Sequence, residues 1–479
     1  MIEKFMPIFL RDFILVPKIV LFFLLSLSFF FAFHVTCSFF VYFIFSALSH
    51  YYVYKSLKVK SFSFEAFFSI FLWLGFWLKF TYHDLLNTNY FYSDSIIGGY
   101  IFDKTNNTNS LLTINITYIL LLLLSYLKDF FLSLKNINFH NTKKLKPKIF
   151  FKTKFNLFFI IFLLFAIFIN YINFRYGIYR KGMFSDIDNY FITKSFTWLI
   201  FFGLTSIFVF FLSFKINHQR QLFYLSIITF LEILSSSVSS LSRGFILNAS
   251  SILFSWFKLF QFKLVSIKLL MLIIFSASLF MVINVLATHN LRGQVYQYEV
   301  LEGEDEKIVI EQYKAKYNYL ELVVNRWVGL DSYFAVYSKL NQLSIDTYRM
   351  ANKFEKENKT SFFDYYFLNN PYHFLLKSGQ GDKRNFMTTP GVVAYSFYSG
   401  SIIFALLLIS LIVIFCYFLE YFINLATNGN FFIIPLFMQI ITTRLMHFGY
   451  APENTIIFLI TILFNIMLLC ALLSIFKKK

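Results

Sequence analysis

Long apolar runs separated by short, mostly basic loops dominate the chain. A run of about 17–25 apolar residues can cross a bilayer as a helix, which bonds its own backbone where no water can. Such runs fall near 19–34, 36–54, 64–82, 111–127, 156–173, 195–213, 222–241, 244–260, 269–287, 392–419, 431–446 and 455–476. They predict an all-α polytopic membrane protein with about twelve transmembrane helices and one large helical extracytoplasmic loop. Three parts follow: an N-terminal transmembrane bundle over 1–287 (about nine spans), the loop over 288–391, and a C-terminal transmembrane segment over 392–479 (about three spans). Ile19–Tyr54 is almost continuous. Lys4, Arg11 and Lys18 precede it, and Lys55, Lys58 and Lys60 follow it. The positive-inside rule puts both ends in the cytoplasm, which requires two crossings rather than one long helix.

Charge agrees with that topology. The loops assigned to the cytoplasm carry about 22 basic and 3 acidic side chains, while the insert has about 13 of each sign. The difference accounts for the formal net charge of +18, so the basic excess reports orientation and is not a nucleic-acid footprint. Both termini are expected in the cytoplasm. The N-terminus reads as an uncleaved signal-anchor, because no small-residue cleavage site follows its apolar run. Apolar residues make up 58% of the chain and charged residues 14%, which excludes a soluble domain of this length. The 71 Phe residues fit an AT-rich genome choosing among interchangeable apolar residues. Cys37, Cys416 and Cys470 lie inside apolar runs, so neither disulfides nor a zinc site is expected.

The insert is where chemistry on the water side can be organised. Over 305–328, Val309, Tyr313, Tyr317, Leu320, Val324 and Trp327 form one stripe at helical spacing, and Gly329 is expected to end that helix. Phe362–His373 is dense in aromatic residues and suits the headgroup zone, with a turn at Asn370-Pro371. Thr388-Thr389-Pro390-Gly391 leads back into the membrane.

Charges inside spans cost at least about 2.5–3.5 kcal/mol each, so each needs a reason. Glu232, Ser236, Ser239 and Arg243 share one face of the seventh span, either as glue between helices or as the wall of a polar cavity. An arginine at the mouth of a span can hold phosphate with two parallel hydrogen bonds. Arg444 and His447 sit one turn apart at the end of the eleventh span, before a short loop ending in Glu453 and Asn454. Lys79, Arg243, Arg292, Arg326, Arg384 and Arg444 all reach the external level in this topology, a set that suits a lipid-linked pyrophosphate. Lys79 also reads as an ordinary snorkelling anchor.

Four short segments carry a family resemblance: Leu72–Lys79 (LWLGFWLK), Ser240–Leu247 (SLSRGFIL), Asn325–Asp331 (NRWVGLD) and Thr388–Gly400 (TTPGVVAYSFYSG). With the late, large external loop, they make the chain resemble the Wzy-type O-antigen or capsule repeat-unit polymerases. The resemblance implies a glycosyltransferase with no cofactor, nucleotide sugar or required metal. Its partners would be undecaprenyl-pyrophosphate-linked oligosaccharides, the lipid bilayer and a chain-length regulator. Under this reading Arg243 and Arg444 are catalytic with His447, the first choice for the base, ahead of Asp331. Arg292, Arg326, Arg384, Lys79 and Glu453 bind pyrophosphate or glycan, and Glu453 is a further candidate base.

Two other classes compete. A polyprenol-phosphate-sugar-dependent glycosyltransferase would use acidic residues in an external loop, and Asp186-Ile187-Asp188 has Arg175, Arg180 and Lys181 nearby. A lipid-linked oligosaccharide flippase would also have about twelve spans, with short loops and two similar halves.

Overall fold

The computed structural model describes residues 2–58, 61–86, 100–134, 149–181, 189–300, 324–358, 361–368 and 388–476. Among them no strand occurs, and every regular element is a helix. This is an all-α polytopic membrane protein. Among the described residues, eight helices are long and apolar enough to cross a membrane: α3 (Ser63–Leu86), α4 (Lys104–Leu134), α5 (Thr153–Tyr176, within Ile149–Tyr176), α6 (Tyr190–Ser213), α7 (Gln219–Ser239), α9 (Ile267–Thr288, within Ile267–Val300), α13 (Ile402–Thr427) and α15 (Pro452–Phe476). Helix α1 (Ile2–Phe31) contains a shorter apolar stretch, Pro17–Phe31, and α14 (Ile433–Met446) is another. Helices α2 (Phe39–Ser56) and α8 (Leu247–Gln261) complete the apolar set. The insert contributes α10 (Leu330–Tyr337) and α11 (Asp346–Asn358), and α12 (Gly391–Ser396) returns the chain to the bundle.

Burial sorts the helices into a ring and a centre. Only 22% of the apolar window of α9 and of α13 is buried, and 28% of those of α5 and α15, against 78% for α3. In lipid an apolar side chain gains nothing by hiding, so the lightly buried helices form the lipid-facing rim. Helix α14 lies at the centre, packed against α3, α6, α8, α12, α13 and α15. Its residues from Ile433 to Thr442 are all buried. The short length of α14 is therefore matched by enclosure in protein, and its last turn delivers Arg444 and His447 to one end of the bundle.

The split within Ile19–Tyr54 is present. The chain leaves α1 at Phe31 and re-enters helix at Phe39. The turn between them is anchored through Thr36, whose backbone N–H donates to Asp84 Oδ2 at 2.7 Å and whose hydroxyl also donates to that carboxylate. Asn107 donates to the Thr36 carbonyl at 3.2 Å. These polar groups replace the helical bonds that the break gives up.

Two expectations need correction. The tenth apolar run is not one helix over 392–419. It breaks after α12 at a short 3-10 turn and at Gly400, whose φ of +70° closes the turn, and α13 then runs from Ile402 to Thr427. The seventh span stops at Ser239 rather than Arg243, because Leu241 adopts φ +52° and the following 3-10 turn, Arg243–Ile246, starts a new direction. Gly329 stands at the start of α10, and the periodic stretch before Val324 lies outside the described residues, as do Asn370-Pro371 and Asp186 to Asp188.

The loops assigned to the cytoplasm meet one another. Glu65 pairs with Lys128, Lys55 donates to Ser125 at 2.6 Å, and Lys258 donates to the Lys58 carbonyl at 2.7 Å. Glu420 accepts the Ser63 and Phe64 N–H groups at 2.6 and 2.9 Å, capping the first turn of α3. A carboxylate on the free N–H groups of a helix start is favoured by the helix dipole.

Candidate functional site

The other end of α3 begins the site. Residues Trp73–Leu78 widen into a π-helical turn, and Gly75 within it lies backbone to backbone against Gly329. A methyl group added at Gly75 would come within 2.4 Å of the Val328 carbonyl oxygen, and one at Gly329 within 2.5 Å of the Gly75 oxygen. Neither position can carry a side chain without the two segments parting. One turn beyond Gly75, Lys79 donates to Asp331 Oδ2 at 2.6 Å and to the Trp327 carbonyl at 2.8 Å. Lys79 is 1% exposed. It does not snorkel; it locks the insert onto the bundle. Asp331 accordingly has its charge engaged by Lys79, although its Oδ1 is a buried acceptor with no hydrogen-bond partner.

This lock brings Arg326 to the bundle end. Its guanidinium Nη2 lies 3.5 Å from where a Cβ on Gly244 would stand, and Lys181 Nζ lies 3.4 Å from the same point. The absence of a side chain at Gly244 leaves that space between two cations. Lys181 is placed by its backbone N–H, which donates to the Ser240 carbonyl at 3.0 Å. Asn173, near the end of α5, ties both turns together: it donates to the carbonyls of Tyr179 at 3.1 Å and Ser239 at 2.9 Å. Below them, Glu232 accepts from Thr205 and Ser236, and Ser236 and Ser239 donate to Asn170. The serine stripe of α7 is thus helix-to-helix glue.

His447 is the C-cap of α14 and is partly buried. Its Nδ1 lies 3.4 Å from Thr389 Oγ1. Burial, then the charges of Lys181, Arg326 and Arg444, pushes its pKa from 6.5 down to about 3. Arg444 Nε donates to Thr455 at 3.3 Å, and its guanidinium sits 5.8 Å from the centre of the Phe458 ring. Two cations from separate loops and one from the last turn of α14 therefore act on one imidazole. Lys181 and Arg326 are exposed, so the cluster opens to water.

The remaining candidates divide. Glu453 does not join the cluster: it pairs with Lys356 at 2.6 Å, both well exposed. Arg243 opens the 3-10 turn beside Gly244, and Arg292 lies on the far part of α9; neither side chain is among the described parts. Arg384 lies outside the described residues. Sequence reasoning did not select Lys181 or Thr389 for the site. Lys181 follows Arg180 in a basic loop, and nothing local distinguishes the two.

All four segments that carry the resemblance meet here. LWLGFWLK and NRWVGLD interlock through Gly75 and Gly329, SLSRGFIL brings Gly244 to Arg326, and TTPGVVAYSFYSG brings Thr389 to His447. No family model, no curated protein and no solved structure matches this chain.

The cluster has a measurable signature. A His whose pKa is lowered on folding binds fewer protons folded than unfolded, so its contribution to stability falls as pH drops from about 6.5 towards about 3. NMR of ring-labelled His447 is expected to show no titration across about pH 5–8 without ligand, and an upward shift when pyrophosphate offsets the three cations. A midpoint near the ordinary histidine value in the ligand-free protein would contradict the cluster.

Proposed function

We propose that this chain polymerises lipid-linked oligosaccharide repeat units into a surface polysaccharide. The donor is the growing glycan on a polyprenyl pyrophosphate, and the acceptor is a single repeat unit on a second lipid. The acceptor hydroxyl oxygen bonds to the anomeric carbon while the bond from that carbon to the pyrophosphate oxygen breaks. The lipid pyrophosphate leaves with the electron pair, and the hydroxyl proton passes to a base. The largest electrostatic demand is the charge that builds on the leaving group.

One observation carries this reading: Lys181, Arg326 and Arg444 converge on His447 at the end of a bundle whose rim helices face lipid. A diphosphate needs several cations, and its prenyl chain needs an apolar surface beside them. Without an anion, burial and these cations make the imidazole a poor proton acceptor. A bound diphosphate reverses that field, so His447 becomes a competent base only when substrate is present. The twelve-span topology, with this end of the bundle outside and both termini in the cytoplasm, belongs to the same proposal.

The test is the surface glycan of a strain lacking the gene. Loss of a polymerase leaves surface lipid carrying one repeat unit. Loss of a flippase leaves none, and that outcome would replace this reading with transport.

A further inference from the structure

The turn that carries His447 is held by a buried carboxylate of the insert. Helix α11 presents Glu355, which is 5% exposed. Its carboxylate accepts the Phe362 N–H at 3.1 Å and the Ala451 N–H at 2.6 Å. Next to it, Lys356 pairs with Glu453 at 2.6 Å on the surface. The turn needs such a hold, because Ala451 has φ +40° and Gly449 φ +108°. An alanine keeps a left-handed conformation only where its surroundings over-determine it. The opposite side of the turn is fixed as well: the Gly391 N–H donates to the Phe448 carbonyl at 2.9 Å, and the Phe448 ring meets Tyr395 edge-on at 5.0 Å. The groups that face the Glu355 carboxyl are Asp364, Tyr395, Tyr398 and Tyr450. The nearest cation on its own helix, Lys356, is directed to Glu453.

We infer that Glu355 is a positioning residue for His447: by holding the Ala451 N–H, it makes docking of the insert set where the imidazole stands among Lys181, Arg326 and Arg444. The part of this that concerns anion binding rests on the proposed function; the part that concerns the turn does not. A carboxylate serves because two separate N–H groups need two acceptor oxygens. Glutamine offers one oxygen and turns an N–H donor toward the other.

The experiment uses the full chain in lipid nanodiscs. Burial lifts the Glu355 carboxyl to about 7, so measurements are made at about pH 7.5, where the carboxylate predominates. Two quantities are read: the rate at which diethyl pyrocarbonate modifies His447, resolved by peptide mass spectrometry, and the affinity for farnesyl pyrophosphate. Glu355→Gln is expected to speed modification of His447 about five-fold or more and to weaken farnesyl pyrophosphate binding by a similar factor, as loss of a charged hydrogen bond would. The other histidines should keep their rates. Glu355→Asp, with both oxygens one methylene shorter, should restore part of the protection, and Lys356→Ala should leave both readings unchanged. An unchanged His447 rate in Glu355→Gln overturns the inference, as does a rise shared by all the histidines. Should Glu355→Gln not fold, the wild type is read at about pH 6, where the carboxyl is mostly protonated: His447 is expected to react faster there, and an unchanged or lower rate overturns the inference. If the wild type does not bind farnesyl pyrophosphate while the selective rise at His447 persists, the positioning role stands and the proposed function fails.

Discussion

Arg444→Ala is expected to lower the yield of polymer longer than one repeat by about a hundredfold or more, the scale of losing one preorganised group that stabilises developing charge. Single-repeat product should persist, because its delivery does not depend on this cation. Several features make Arg444 the strongest member of the cluster. It projects from the last turn of a helix buried on every side, so its backbone does not move with the loops. Its guanidinium is held by Thr455 and rests against Phe458, so little order is lost when an anion binds. It is also less exposed than Lys181 or Arg326, and water screens it less. Arg444→Lys keeps the charge without the planar fork and should recover only part of the loss. The check is the glycan ladder of a gene-deletion strain complemented with each variant, at equal amounts of protein in the membrane. A normal ladder from Arg444→Ala would remove the assignment.

The largest stability effect is expected at Lys79. Lys79→Met should cost about 3–5 kcal/mol, because it leaves the Asp331 carboxylate buried with no cation. That carboxylate already has one oxygen without a hydrogen-bond partner, and the Trp327 carbonyl would lose its donor as well. The paired replacement Lys79→Met with Asp331→Leu should regain most of the loss, since an apolar pair of similar volume often matches a buried ion pair. Thermal unfolding in nanodiscs would show this as a large drop in Tm for the single variant and a small one for the double. A drop in the double variant equal to the sum of the drops in Lys79→Met and Asp331→Leu would mean that both side chains act independently. A single variant as stable as the wild type would mean the ion pair does not hold the insert. The double variant also separates stability from chemistry. If Asp331 only anchors the insert, polymer length should survive in it.

The apolar helices were legible because hydropathy is a local property. Each of the twelve apolar runs contains a helix, and the break between α1 and α2 followed from lysines and arginines counted along the chain. The helix breaks within 392–419 and after Ser239 were not legible. Both depend on single residues, Gly400 and Leu241, that turn the chain where neighbouring segments require it. Eight of the helices meet the length and apolarity that a crossing demands on its own. The central α14 is short because protein rather than lipid surrounds it, which no hydropathy window registers.

The site divides in the same way. Residue type and spacing marked Arg444 and His447, because one helical turn separates them and a loop follows. The same reasoning could not separate Lys79 from an interfacial anchor: its partner Asp331 is 252 residues away and meets it only through the contact of Gly75 with Gly329. Nor could it choose Lys181 over Arg180, or see that Glu453 is spent on Lys356. The sequence by itself determined a helical membrane protein, the positions of its apolar segments and a surplus of cations at one end. Only the tertiary structure decided which cations lie near one imidazole and that Lys79 pairs with Asp331, because charge pairing depends on distance through space and the chain orders its residues by distance along the backbone.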